Sequence, residues 1–108
     1  MFVVIYRWKV QPGKEAKFRR GWRLVTESIR NQYGSLGGRL HKCQDGTWLS
    51  YAQWSSKKKW ESAWKSGAVD EPLGYKLLKD SLASGQSSGR VVTQMTVTDD
   101  LFDLAGER

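Results

Sequence analysis

The stretch that decides the fold spans residues 2–31 and reads FVVIYRWKVQPGKEAKFRRGWRLVTESIRN. Its first part, residues 2–10, is rich in β-branched and aromatic residues and ends at Pro12-Gly13, which predicts a strand closed by a turn. From residue 14 to residue 31 the apolar residues recur every three or four positions, the period of one helix face. The residues with this spacing are Phe18, Trp22, Val25 and Ile29. A strand followed by a helix is therefore the first unit of the fold.

A hairpin follows this unit. Residues 35–43 and 47–54 are strand-like and flank Gln44-Asp45-Gly46. An Asp-Gly pair between two strand-like runs is a strong local signal for a hairpin. Ser55 or Ser56 then caps a second helix, because serine side chains accept hydrogen bonds from the first free N–H groups of a helix.

A third helix is predicted after Pro72, and residues 90–98 predict the last strand. The order of elements is β-α-β-β-α-α-β. This order predicts the α+β class and a ferredoxin-like split β-α-β sandwich, in which a four-stranded antiparallel sheet carries helices on one face.

The first strand is apolar on both of its faces. Val3 and Ile5 point to one side, whereas Val4, Tyr6 and Trp8 point to the other. Helices on one face of the sheet leave the other face too apolar for water. A second copy of the chain would cover that face, so we predict a homodimer.

The composition is that of one globular domain. With 108 residues, of which 39% are hydrophobic and 27% charged, the chain is long enough for one core and too short for two. No apolar run approaches the length that spans a bilayer, and residues 1–10 lack the pattern of a signal peptide, so we expect no membrane partner. Because Cys43 is the single cysteine, we expect no internal disulfide and a cytoplasmic localisation.

We assign residues 1–98 to the domain and residues 99–108 to an acidic C-terminal tail. The net charge of +7 is concentrated in residues 1–42, which hold ten Lys and Arg residues against two acids. We expect the tail to pack on a basic surface, plausibly that of a partner chain, through Leu101, Phe102 and Leu104. The same charge can mark a nucleic-acid surface, but residues 46–54 lack the basic-Gly-aromatic start of RNA-recognition motifs. We therefore expect no nucleic-acid partner.

Few residues suit acid–base or metal chemistry. The chain has one His and one Cys, no P-loop, no dinucleotide-binding glycine pattern and no cluster of metal ligands. His41 and Cys43 are two residues apart and share a strand face, but a free cysteine is usually a small core residue. We expect neither a metal nor a cofactor.

Aromatic residues are the unusual feature, since six Trp, four Tyr and three Phe make up 12% of the chain. Five tryptophans fall where they can point between helices and sheet: Trp8, Trp22, Trp54, Trp60 and Trp64. They either fill the core or line an aromatic pocket for a flat hydrophobic ligand, with Tyr6, Tyr51 and Gln53 as polar contacts.

Three runs together resemble the antibiotic biosynthesis monooxygenase family of dimeric α+β barrels. They are VIYRWKVQPGKEAKFRRGW, GSLGGRLHKCQDGTWLSYAQWSS and KKWESAW, and the resemblance extends over roughly residues 2–98. It implies a homodimer whose two sheets form a barrel, with a pocket between helices and sheet in each protomer. For some members it also implies oxygenation of aromatic or quinol-type substrates without flavin or metal.

The resemblance also includes proteins that degrade haem. They use an Asn on the first strand, a Trp on the second helix and a His ligand beyond that Trp. Here Tyr6 takes the strand position, Trp64 matches the Trp, and residues 65–79 contain no His. Haem degradation is therefore a less favoured activity than oxygenation of a small aromatic molecule.

These observations lead to a hypothesis with named roles. We predict His41, Tyr6 and Tyr75 as catalytic residues, because imidazole and phenol groups can hold substrate oxygens and exchange protons. The predicted substrate-binding residues are Trp8, Trp22, Trp64, Arg39 and Tyr51. The predicted partners are a second copy of the chain, a small aromatic molecule and oxygen. The alternative is a non-catalytic ligand-binding or structural dimer of the same fold, which the lack of a clear acid–base set favours.

Overall fold

The computed structural model describes residues 1–86 and 89–102. The elements in chain order are β1 Phe2–Trp8, α1 Glu15–Tyr33, β2 Gly37–Lys42, β3 Trp48–Trp54, α2 Lys57–Ser66, α3 Pro72–Ser81 and β4 Arg90–Thr96. The predicted order is confirmed, although β1 and β4 are shorter than predicted because each stops pairing two residues earlier. Among the described residues, no helix combines the length and the apolar character that crossing a membrane would require.

The four strands form one antiparallel sheet in the order β2-β3-β1-β4. β1 lies inside the sheet, and its Phe2 and Trp8 pair with Trp54 and Trp48 of β3. The side chains of these four residues belong to the core that the helices cover. The predicted fold class, an α+β sandwich with helices on one face of a four-stranded antiparallel sheet, is confirmed.

Local capping interactions set the ends of the helices. Gly34 ends α1 in the left-handed conformation with φ of 74°, as its position in the sequence predicts. The Ser56 hydroxyl accepts a hydrogen bond of 3.2 Å from the Lys59 N–H group, so Ser56 is the cap of α2. At the start of α3 the Glu71 carboxylate accepts a hydrogen bond of 3.0 Å from the Gly74 N–H group, a cap that the sequence reasoning missed.

Two glycines let α1 and α3 approach each other closely. A Cβ atom on Gly21 would lie 2.9 Å from the Gly74 carbonyl oxygen, and one on Gly74 would lie 2.8 Å from Val25 Cγ2. A larger residue at either position would push the helices apart. This contact fixes α3, and with it Tyr75, beside the face of α1 that meets the sheet.

The core forms where α1 crosses the helix-covered face of the sheet. Phe18 of α1 is fully buried. Its ring lies 5.4 Å from the ring of Trp8 and 5.5 Å from the ring of Trp48, in the tilted and edge-on arrangements that aromatic pairs prefer. The even-numbered residues of β1 therefore face the helices.

The opposite face, which we call the outer face, is covered only in part. Val3 on this face is buried, whereas His41, Thr93 and Met95 are exposed. Exposed apolar surface beside polar residues is typical of a face that meets another molecule. A homodimer through the outer face stays a prediction.

The segment after β4 folds back toward the first strand and then over the outer face. The Val97 N–H group donates a hydrogen bond of 2.8 Å to the Met1 carbonyl oxygen, and the Arg39 guanidinium carbon lies 5.4 Å from the centre of the Phe102 ring. Leu101 and Phe102 nevertheless stay 94% and 72% exposed. The tail thus contacts a basic residue of its own chain without burying these two apolar side chains, and Leu104 lies outside the described residues.

Candidate functional site

A cavity of about 240 Å³, the first cavity, lies between the helices and the helix-covered face of the sheet. Its lining is mostly aromatic and apolar, and the described residues in it include no Asp, Glu, Lys, Arg or His. The lining residues are Tyr6, Trp8, Trp22, Val25, Thr26, Ile29, Ser35, Gly37, Gly38, Ser50, Tyr51, Ala52, Trp54, Trp64, Tyr75, Leu78 and Gly89.

A second cavity of about 310 Å³ lies beside the first, toward α2. The two cavities share five lining residues: Tyr6, Ile29, Trp54, Trp64 and Tyr75. The second cavity is also lined by Tyr33, Trp60 and the turn that leads from α2 to α3. Sites for small organic molecules are likewise mostly apolar, and the second cavity is at the lower end of their usual size range, with the first cavity slightly below it.

Tyr6 of β1 is held by α2. Its hydroxyl oxygen accepts a hydrogen bond of 3.1 Å from the Trp60 indole N–H group. Burial raises the pKa of Tyr6 above its usual value of 10.0, and the hydrogen bond from Trp60 opposes this shift in part. At neutral pH Tyr6 is therefore a neutral phenol whose own O–H group is free to donate.

Tyr75 of α3 has the same kind of environment. Its hydroxyl oxygen accepts a hydrogen bond of 3.2 Å from the Val69 N–H group. Burial raises the pKa of Tyr75, the Val69 hydrogen bond lowers it, and the neighbouring Tyr33 raises it further. Because Tyr6 and Tyr75 line both cavities, the site has two neutral hydroxyl groups that each already accept a hydrogen bond.

The three tryptophans that the sequence placed at the site all border the first cavity. The Trp8 indole N–H group donates a hydrogen bond of 2.9 Å to the Ser50 hydroxyl, which fixes the plane of its ring. Trp22 projects from α1 and is half-buried. Trp64 of α2 is 64% exposed and lies 5.9 Å from the Trp60 ring, so it forms an outer wall rather than part of the core.

Arg39 and His41 do not line either cavity. In the ladder of β2 and β3, Arg39 pairs with Tyr51 and His41 pairs with Leu49, and these residues alternate with Leu40 and Ser50. Since Leu40 packs against the core and Ser50 lines the first cavity, Arg39 and His41 point to the outer face. The structure thus places these two predicted site residues on the far side of the sheet.

The backbone and the side chain of Tyr51 lie on opposite faces of the sheet. It borders the first cavity where its strand passes Gly38, at which a Cβ atom would lie 2.5 Å from the Tyr51 carbonyl oxygen. Strand alternation sends its side chain to the outer face, where Tyr51, Arg39 and Phe102 line a third depression. The Tyr51 backbone, rather than its hydroxyl group, is therefore what meets the first cavity.

Sequence reasoning missed several residues of the site. Ser50 lies on the same face of β3 as Trp48 and as Trp54, which the sequence had already named among the tryptophans that could line a pocket, so strand alternation was sufficient to predict it. Thr26, which also lines the first cavity, could have been predicted from its position one residue after Val25 on α1. No sequence signal announces that Trp60 holds Tyr6, because the two residues are 54 positions apart.

Charged side chains line a groove of about 180 Å³ along α1, beside the first cavity. Arg23, Glu27 and Arg30 line this groove, which shares Trp22 and Thr26 with the first cavity. Within residues 1–86 and 89–102, no three His, Cys, Asp or Glu side chains gather as metal ligands do.

Comparisons with known proteins agree with this architecture. The sequence profile described as antibiotic biosynthesis monooxygenase matches residues 1–71. No protein of curated function matches the chain significantly in sequence.

Three solved structures illustrate the similarity of fold. Rv0793 from Mycobacterium tuberculosis is 15% identical with a TM-score of 0.62, over 94% of this chain and 98% of that one. SnoaB, a cofactor-independent oxygenase from Streptomyces nogalater, is 14% identical with a TM-score of 0.64, over 94% and 97% of the two chains. The monooxygenase from the gene ActVA-Orf6 of Streptomyces coelicolor, in complex with nanaomycin D, is 21% identical with a TM-score of 0.58, over 94% and 91%. At these identities the similarity demonstrates the fold and leaves the activity to be argued from the site.

Proposed function

The chain belongs to the antibiotic biosynthesis monooxygenase family, and on that premise we propose that it is an oxygenase for a flat aromatic or quinol-type molecule. The substrate would lie in the first cavity and react with O₂ without flavin or metal. The observation that carries this proposal is the pair of neutral hydroxyl groups, Tyr6 and Tyr75, in an aromatic and uncharged cavity.

The chemistry assigned to the substrate is the autoxidation of an electron-rich anion. The anthrone gives up a proton to solvent water, and its anion passes one electron to O₂. The resulting radical and superoxide combine into a peroxide anion at the carbon that lost the proton. The peroxide anion takes up a proton from solvent water, and loss of water then leaves a new carbonyl group. Overall, anthrone and O₂ give anthraquinone and water. The protein has to favour the anion, hold it near oxygen and exclude bulk water.

In this proposal Tyr6 and Tyr75 donate hydrogen bonds to the substrate oxygens. Each hydroxyl oxygen already accepts a hydrogen bond from a protein N–H group, which leaves its proton to point elsewhere. Hydrogen bonds to an oxyanion strengthen as negative charge develops, so these donors would favour the substrate anion over the neutral form. Trp8, Trp22 and Trp64 would supply the walls that hold a flat ring system.

We further propose that the working unit is a homodimer joined through the outer face of the sheet. Support comes from the apolar side chains that β1 and β4 present there, among them Ile5 and the 41% exposed Met95. In such a dimer His41 and Arg39 would serve the contact between protomers, since they point away from the cavity of their own chain.

Oxygen uptake with a panel of hydroquinones and anthrones tests the proposal. Tyr6→Phe and Trp64→Ala should each lower the rate by about tenfold or more, because loss of one oriented donor or one wall removes transition-state stabilisation. Two matched variants on the outer face, Tyr51→Phe and Phe102→Ala, should keep the rate of the wild type. Rates that equal the uncatalysed background for the wild type would refute catalysis.

A non-catalytic binder of the same molecules is the second candidate. The observation in its favour is that the described lining contains no carboxylate or imidazole group that could act as a base. Quenching of tryptophan fluorescence by a hydroquinone or anthrone, without accelerated oxygen uptake, would select this function.

A further inference from the structure

The groove along α1 carries charged side chains, which the described lining of the first cavity lacks. Arg23, Glu27 and Arg30 follow one another at spacings of four and three residues, so they lie on one face of α1 and form one side of the groove. All three side chains are exposed. Two cations against one anion give this side of the groove a net positive charge, which the proposed oxygenation does not use.

The groove and the first cavity are adjacent. Both are lined by Trp22 and Thr26 of α1 and by Gly37 and Gly38 of β2. Because the two glycines have no side chains, the shared wall on the side of β2 consists of backbone alone. At about 240 Å³ the first cavity is also slightly smaller than the usual site for a small organic molecule. A ring system that fills the first cavity therefore has the groove as one neighbouring space for a further substituent.

The guanidinium groups of Arg23 and Arg30 are available to such a substituent. In the part of the chain that the structure describes, the single ion pair joins Arg7 to Asp45 at 3.8 Å, so neither arginine is paired with Glu27. Both side chains are long and exposed, which lets them turn toward a group in the groove. A guanidinium group presents its N–H donors in a planar fork that matches the two oxygens of a carboxylate.

We propose that the groove along α1 binds a carboxylate substituent of the substrate whose ring system occupies the first cavity, and that Arg23 and Arg30 determine this specificity. The inference rests on the proposed function, in that it takes the ring system to lie in the first cavity. It narrows the substrate class to flat aromatic molecules that carry a carboxylate at one edge. The second cavity suits such a group poorly, because its described lining contains no charged side chain.

Glu27 limits how strongly the groove attracts an anion. It lies about one helical turn from each arginine and repels a carboxylate in the groove. Exposed ion pairs are individually weak and are screened by salt. The two arginines therefore select for an anionic substituent, while the aromatic walls of the first cavity supply most of the binding energy.

The binding of two anthraquinones tests the inference. Anthraquinone-2-carboxylate and anthraquinone-2-carboxamide have the same rings and nearly the same shape, and only the first is charged. Quenching of tryptophan fluorescence gives both affinities. At low ionic strength we expect the wild type to bind the carboxylate about fivefold more tightly than the carboxamide, the effect of two exposed ion pairs. The double variant Arg23→Gln with Arg30→Gln should lose this preference by weakening the carboxylate alone.

Two single variants distinguish the local charge of the groove from other effects. Glu27→Gln should strengthen carboxylate binding by about twofold, because it removes the repulsion, whereas damage to this helix face would not improve binding. Arg20→Gln removes the same charge from an exposed position of α1 that lines neither the groove nor the two cavities. It should change either affinity by less than about twofold, because water and salt screen charges that are not in contact.

The outcomes separate this inference from the proposed function. A wild type that binds both probes equally, or a double variant that weakens both equally, would overturn the role of the groove and leave the first cavity as a binding site. A loss in Arg20→Gln as large as that in the double variant would also overturn it, since the overall charge of the chain would then explain the preference. If neither probe binds the wild type, the proposed function loses its ligand site and this inference fails with it.

Discussion

The hydrogen bond between Trp60 and Tyr6 joins α2 to the centre of the sheet, and its contribution to stability can be measured. We consider Tyr6→Phe, Trp60→Phe and the double variant. The N–O distance of 3.1 Å and the partly buried position describe an ordinary hydrogen bond between neutral groups. Such a bond contributes about 1 kcal/mol net to the free energy of unfolding.

Each single variant should lose more than this bond alone. Tyr6→Phe leaves the Trp60 N–H group without its acceptor in a partly buried place, which should cost about 1–2 kcal/mol. Trp60→Phe also loses contact with the Phe2 ring, whose centre lies 5.6 Å from that of Trp60. The double variant should therefore be more stable than the sum of the two losses predicts, by a coupling energy of about 1 kcal/mol.

Urea denaturation of the four proteins gives this coupling energy. The matched control is the cycle of Tyr51→Phe with Trp60→Phe, because the Tyr51 side chain points to the other face of the sheet and the two changes should be additive. A coupling energy for Tyr6 and Trp60 no larger than that of the control cycle would refute the contact, and with it the orientation of the Tyr6 hydroxyl on which the proposed function depends.

Two further predictions concern the assembly and the response to pH. Sedimentation at micromolar concentration should show a species of twice 12.3 kDa, and Ile5→Asp on the outer face should shift it toward the monomer; a wild type that is monomeric at these concentrations would contradict the dimer. Because burial raises the pKa of Tyr6 above 10.0, folded and unfolded chains both keep the Tyr6 proton below pH 10, and stability should fall as pH rises from there through the raised pKa. Thermal denaturation of Tyr6→Phe should show a smaller alkaline loss than the wild type, and equal losses would mean that Tyr6 is not buried.

The parts of the fold that the sequence predicts are those with strong local signals. The period of three and four in α1, the Asp-Gly pair of the hairpin and the glycine at the end of α1 each describe a local conformation, and each is found where predicted. The even-numbered residues of β1, including Tyr6 and Trp8, reach the helix-covered face because alternation in a strand is fixed by geometry.

Strand alternation alone does not decide which residues of β2 point to the helix-covered face. Arg39 and His41 share a face by alternation, but the sequence of β2 has a single large apolar residue, Leu40, to show which face is buried. Leu40 packs against the core, and Arg39 and His41 therefore point to the outer face. Hydrogen bonds between distant residues, such as that of Trp60 with Tyr6, depend on the assembled fold and have no local signal.

The position of Arg39 and His41 on the outer face bears on which substrates the proposed oxygenase would accept. The described lining has no charged side chain, and the cations Arg23 and Arg30 lie with Glu27 in the groove along α1. A substrate anion in the cavity would therefore be stabilised by hydrogen bonds alone, while burial opposes its charge. Burial disfavours most strongly a localised anion, such as that of a simple phenol. An anion whose charge is spread over several rings and oxygens is disfavoured less and can accept hydrogen bonds from several donors at once. We therefore expect oxygen uptake, if the proposed function holds, to favour fused-ring anthrones and naphthohydroquinones over single-ring phenols.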